Sequence, residues 1–189
     1  MKVDIQLKGF KELARSFDPK VLRNATVRTL NDTAALAHTA TSKHIRSSYT
    51  ISAKAIKKAL RVKKANFTAF VAEIVATGKR IPVAAFNTRK NKKGISVQIK
   101  RRGARKTIKH AFKATMSSGH VGIWQRFRSA NDYDGRLPLK AELRSLSIGQ
   151  AMESISVLTK TKRVIEKNLP KIFKKQIDFY QWRARKGRG

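Results

Sequence analysis

Residues Thr88-Arg-Lys-Asn-Lys-Lys-Gly-Ile-Ser-Val-Gln-Ile-Lys-Arg-Arg-Gly-Ala-Arg-Lys106 hold the two patterns from which the fold is read. From Gly94 to Lys100, Ile95, Val97 and Ile99 fall on one face and Ser96, Gln98 and Lys100 on the other, the period-two alternation of a half-buried strand. On either side the apolar residues stop. Thr88 to Gly94 reads as a polar turn in which Asn91 and Gly94 suit positive backbone dihedrals, and Lys100 to Lys106 as a second basic loop. An antiparallel strand framed by two cation-rich turns is the expectation.

Neighbouring segments extend the pattern. Asn66–Thr77 and Ile81–Asn87 are rich in Phe, Val, Ile and Ala and read as strands, as do shorter stretches in Thr107–Met116 and His120–Arg126, parted by Ser117-Ser-Gly119. Asn131 to Gly135 is a turn cluster. Helices are expected outside this meander. Asp18 supplies an N-cap oxygen ahead of Pro19, whose missing N–H costs nothing at a first helical position. From Pro19 to about Arg46, Leu22, Ala25, Leu30, Ala34, Ala37, Thr41 and Ile45 recur at three and four, so the helix has one apolar stripe, mostly of small residues. Such a stripe brings helices close together, within the fold or between subunits.

Ser52 is a plausible cap for a second helix ending near Leu60. At the N-terminus Val3, Ile5 and Leu7 alternate with polar residues as in a strand, and a brief helix is expected over Gly9–Ser16. Ser147 or Ser154 can cap the last helical region, in which Ile155, Leu158, Ile165, Leu169, Ile172 and Tyr180 keep a helical period as far as Trp182. Pro170 should kink or split it. The fold class expected is α+β, a long N-terminal helix and a kinked C-terminal helix flanking a central antiparallel β-sheet. One domain over residues 1–182 and a basic flexible tail over 183–189 account for the chain, and no internal repeat is present.

Charge dominates the composition. The 189 residues carry 44 Lys and Arg against 11 Asp and Glu, net +33. From Ile74 to Asn131 there is no acid at all, while the same stretch carries fifteen cations. So many like charges repel one another in a compact state, which makes a polyanion the natural partner. A hydrophobic content of 41% argues against a wholly disordered basic chain. With no cysteine, disulfide frameworks and thiolate metal sites are excluded. No apolar run approaches the roughly 20 residues that span a bilayer, so a soluble protein made in the cytoplasm, without a membrane partner, is expected.

Catalytic and cofactor motifs fail on spacing. His38 and His44 lie six apart, about 240° round a helix, and neither they nor His110 and His120 belong to a metal-binding pattern. Asp132 and Asp134 before Gly135 resemble a calcium loop, but Ala141 stands where the bidentate ligand belongs. Gly94, Gly119 and Gly122 match no phosphate-cradling loop. No metal, cofactor, catalytic residue or small-molecule substrate is therefore expected. The phosphate-contacting candidates are Arg89, Lys90, Lys92, Lys93, Arg101, Arg102, Arg105 and Lys106, because phosphate contact needs cations in projecting loops and carries no base specificity. The alternative is a solvated surface. The aromatic and apolar residues Phe112, Trp124, Phe127, Leu137 and Trp182 are candidate anchors of the core or of a subunit interface.

The run Lys109-His-Ala-Phe-Lys-Ala-Thr-Met-Ser-Ser-Gly-His-Val-Gly-Ile-Trp-Gln-Arg126, followed by Arg136-Leu-Pro-Leu139, resembles the minor tail protein Z family of tailed bacteriophages and prophages. Asn31-Asp-Thr-Ala34, Tyr49-Thr-Ile51 with Ile56, Gly78-Lys-Arg-Ile-Pro82 and Phe86 are similar to the same family's order of elements. One stretch departs: Lys140-Ala-Glu-Leu143 leads into Arg144-Ser-Leu-Ser147 without the Gly-Pro-Ser turn of the family pattern. The resemblance implies a virion structural protein, with no enzymatic activity, that completes the head-proximal end of the tail for joining to the head. Its implied partners are other tail and neck proteins and copies of itself in a closed ring, six-fold as tail components commonly are; since DNA must pass the neck, the packaged DNA end is the polyanion that the basic loops are expected to face. A cytoplasmic, sequence-nonspecific nucleic-acid-binding protein is the alternative expectation.

Overall fold

In the computed structural model, residues 2–5, 17–127 and 137–187 are described. Strand β1 (Lys2–Ile5) is followed by α1 (Pro19–Ser48), α2 (Ala53–Ala59), β2 (Leu60–Lys63), β3 (Ala72–Ala76) and β4 (Arg80–Pro82). After a single 3-10 turn (Val83–Ala85) come β5 (Asn87–Asn91), β6 (Gly94–Gln98), β7 (Lys106–Lys109), β8 (Phe112–Thr115), β9 (Val121–Trp124) and β10 (Arg144–Ser147). Two helices close the chain, α3 (Ile148–Glu153) and α4 (Ile155–Lys186). The α+β class stands, with its long helices near both ends and antiparallel strands between them.

Helix α1 begins where its caps say. Asp18 Oδ1 accepts from the Lys20 N–H at 2.8 Å and the Val21 N–H at 3.3 Å, which satisfies donors that have no intrahelical partner. Leu22, Ala25, Leu30, Ala34, Ala37, Thr41 and Ile45 are all buried. What covers them is the same chain: α4 runs antiparallel along α1, with Thr41 Oγ1 3.2 Å from Thr161 Oγ1 near one end and Leu22 and Ala25 clustered with Ile177 near the other. The small-residue face therefore serves the fold. Helix α4 passes through Pro170 unbroken, so the expected split does not occur. Pro170 lies on the exposed side, where solvent can take up the carbonyl left without its donor. The helix also continues beyond Trp182 to Lys186, leaving Arg183, Arg185 and Lys186 on its last turn.

The strands form four small antiparallel sheets, β1-β3-β2, β4-β10, β5-β6-β7 and β8-β9. They share one core, because Ile74 of β3, Ile95 and Val97 of β6, Ile123 of β9, Ile148 and Met152 of α3 and Leu30 of α1 belong to one buried cluster. Ser52 caps α2 through its side chain, and Ser147 caps α3 in a reciprocal box with Gln150. Ser154 precedes α4 without a side-chain bond. β1 starts at the predicted strand, whereas Leu7, the brief helix over Gly9–Ser16 and the Asn131–Gly135 turn with Asp132 and Asp134 lie outside the described residues. β2 and β10 fall where no strand was expected.

Candidate nucleic-acid interface

The three-stranded sheet β5-β6-β7 carries most of the candidate cations. Pairing sets Ser96 between Arg89 and Thr107, Ile95 between Lys90 and Ile108, and Val97 between Thr88 and Lys106. Because cross-strand partners share a face, Arg89, Ser96, Thr107 and Lys109 stand on one side. Ile95 and Val97 turn to the core on the other, with Lys90 and Lys106 on the outer strands beside them. This corrects the turn expected over Thr88–Gly94: Thr88 to Asn91 are strand, and Arg89 and Lys90 are edge-strand residues. An edge strand without apolar residues is tolerated because β6 supplies its ladder partners, and its cations discourage pairing with a stray strand.

The true turn, Asn91-Lys-Lys-Gly94, is held firmly. Asn91 Oδ1 accepts from the Lys93 N–H at 3.1 Å, and Asn91 Nδ2 donates to Thr107 Oγ1 at 3.2 Å. Gly94 has φ 142°, and a Cβ there would lie 2.2 Å from the Ile108 carbonyl oxygen, so only glycine fits. Lys92 and Lys93 thus project from a turn whose backbone is determined.

The second basic loop divides the candidates. Arg101 Nε donates to the Arg46 carbonyl at 2.6 Å, and the Arg101 N–H donates to the Ser48 carbonyl at 3.0 Å. Those carbonyls belong to the end of α1, where a guanidinium also opposes the negative end of the helix dipole. Arg105 reaches back over the sheet, donating to the Asn87 and Ser96 carbonyls at 3.1 and 3.2 Å and to Ser96 Oγ at 3.4 Å. That cover explains why Ser96, expected on the solvent face, is buried. Arg101 and Arg105 are engaged in the fold. Arg89, Lys90, Lys92, Lys93, Arg102 and Lys106 are exposed and form no ion pair among the described residues.

None of the five proposed anchors joins the buried core. Phe112 is half-buried beneath the Arg126 guanidinium, 5.5 Å from its ring centre, and Leu137 is half-buried with its carbonyl accepting from Arg126. Trp124 stands edge-on to His120, and Gly122 lies so close beneath it that a Cβ would sit 2.8 Å from Trp124 Nε1. Phe127 and Trp182 are 47% and 54% exposed, which removes the core reading for these two. Each has a lysine over its ring, Lys140 for Phe127 and Lys186 for Trp182. Phe179, 6.3 Å from Trp182, extends the exposed aromatic surface at the end of α4 and was missed in the sequence.

The histidines have separate surroundings. His120 Nε2 meets Glu142 Oε1 at 2.7 Å, and Arg144 bonds the other Glu142 oxygen at 3.1 Å, tying β9 to the segment entering β10. His38 faces the Leu60 carbonyl at 3.4 Å. The pKa of His44 is held below its ordinary value by burial first and then by Lys160 and Lys43. No group of three or more metal-ligating side chains occurs among the described residues. No helix of the described residues is long and apolar enough to cross a membrane.

Searches against protein families, curated proteins and solved structures find no match to this chain.

Proposed function

We propose that this chain is a structural protein of a tailed bacteriophage or prophage particle, completing the head-proximal end of the tail and helping to join it to the head. It is made in the host cytoplasm, forms a closed ring with copies of itself, six-fold by the expectation drawn from the resemblance, and meets other tail and neck proteins. Its role is structural rather than enzymatic. The exposed cations of the β5-β6-β7 sheet and of its flanking loops lie near the DNA path.

The observation that carries the DNA-proximal part is the set of six exposed cations, without an ion pair among the described residues, on the β5-β6-β7 sheet, its internally braced turn and the loop before β7. Cations on a braced backbone neutralise phosphates with only their side chains left to order, and they do so without reading bases. The virion part is supported by the resemblance over Lys109–Arg126 and its companion segments. Phe127, Phe179 and Trp182 supply exposed aromatic surface of the sort found at subunit interfaces.

Mass spectrometry and electron microscopy of purified particles test this directly. The expected result is the protein in the particle, in a ring between tail and head, and tails that fail to join heads when its gene is deleted. The same cations suit a cytoplasmic, sequence-nonspecific nucleic-acid-binding protein. Co-purification with ribosomes or nucleoid and absence from particles would replace the virion reading with that one.

A further inference from the structure

Beside the braced turn is a cavity of about 560 Å³ between the β5-β6-β7 sheet and the β8-β9 hairpin. Lys90, Lys92 and Lys93 line it from the sheet side, Lys113 from β8, and His110 from the link between β7 and β8, with Ile95 and Ile123 at its base. Among the described residues no acid lines it, and its four lysines form no ion pair. His110 is the one non-glycine residue with positive φ among those described, at 59°. Its N–H donates to the Lys93 carbonyl at 3.0 Å, which ties the strained link to the adjoining β5-β6 turn.

We infer that this cavity is a binding site for a phosphate-terminated nucleotide at the end of a DNA strand. The inference rests on the DNA-proximal reading above and names the part of DNA that the site takes. A passing phosphodiester brings one negative charge, whereas a terminal phosphomonoester brings about 1.5 to 2 at neutral pH together with three acceptor oxygens. Four lysines from three elements lining one cavity match the second. The volume is within the roughly 300–1,000 Å³ of small-molecule sites and admits one nucleotide, whose sugar or base can rest on the apolar base of the cavity.

The experiment compares two 20-base-pair duplexes, identical except for 5′-phosphate or 5′-hydroxyl ends, by fluorescence anisotropy with the full chain. One added charge-assisted contact favours the phosphorylated duplex by about tenfold. In the Lys93→Gln/Lys113→Gln variant the ratio should fall to one, while Lys54→Gln/Lys58→Gln on α2 should leave it unchanged. Free nucleoside monophosphate should erase the difference in the unaltered protein. Equal affinity of the unaltered protein for both duplexes would overturn the end-binding site and leave the sheet's DNA contact standing. Binding to neither duplex would overturn both.

Discussion

Removing charge from the free cations and from the engaged arginines should produce two different phenotypes. Arg89, Lys90, Lys92, Lys93, Arg102 and Lys106 are exposed without ion-pair partners among the described residues, whereas Arg101 and Arg105 donate to carbonyls of α1 and of the β5-β6 pair. If the free six each neutralise one phosphate, log affinity for duplex DNA falls against log salt with a slope of about −5, or about a thousandfold between 50 and 200 mM. Arg89→Gln/Lys92→Gln/Arg102→Gln removes half of that, leaving a slope near −2.7 and a loss of about fortyfold over the same range. Its melting temperature should not fall, since the substitution relieves like-charge repulsion. Arg101→Gln/Arg105→Gln instead loses hydrogen bonds to carbonyls and a favourable helix-end charge, about 2 kcal/mol together. For a chain of this size that lowers the melting temperature by roughly 6 °C, with a salt slope much nearer to that of the parent. Anisotropy titrations on duplex DNA at four salt concentrations and a thermal melt measure both. An unchanged slope in the triple variant, or a slope loss in the double variant as large as in the triple, would refute the division of the cations.

Gly94→Ala places a methyl group against the Ile108 carbonyl at a φ that L residues avoid, and should cost about 2 kcal/mol or more in a denaturant melt. Thr33 buries a hydroxyl with no partner among the described residues, so Thr33→Val should raise stability by about 1 kcal/mol; Thr41→Val, which cuts the bond to the Ala37 carbonyl, should not. The pKa of His44 is lowered in the fold, so the folded state binds fewer protons than the unfolded chain just below pH 6.5. Stability should therefore decline as pH falls from about 6.5 through the lowered value, and His44→Gln should flatten that decline in melts recorded across the window. With a net charge of +33, the unliganded protein should melt at a higher temperature as sodium chloride increases, because screening weakens self-repulsion.

Much of the frame was legible because it is set locally. The Asp18-Pro19 start, the Ser52 and Ser147 caps and the alternation in Ile95 and Val97 each depend on residues within a few positions of one another. Strand β5 was not legible: Asn87-Thr-Arg-Lys-Asn91 has no apolar alternation and is a strand only because β6 offers it a ladder. β2 and β10 failed for related reasons. Four residues of β2 give too short a signal, and β10 meets β4 across about sixty residues of chain, with a register shift between Arg144 and Ser147.

The same split runs through the candidate site. Sequence by itself determined that a long acid-free block of cations exists, that its turns need Asn91 and Gly94, and that an α+β chain surrounds it, because charge and backbone preference are properties of single residues and their near neighbours. Only tertiary structure decided that the small-residue face of α1 is closed by α4, that Arg101 and Arg105 are held by carbonyls, and that Lys113 comes to the same cavity as Lys90 and Lys93. A cation's availability depends on what folds back to meet it, and those partners are as far away as Arg46, fifty-five positions from Arg101.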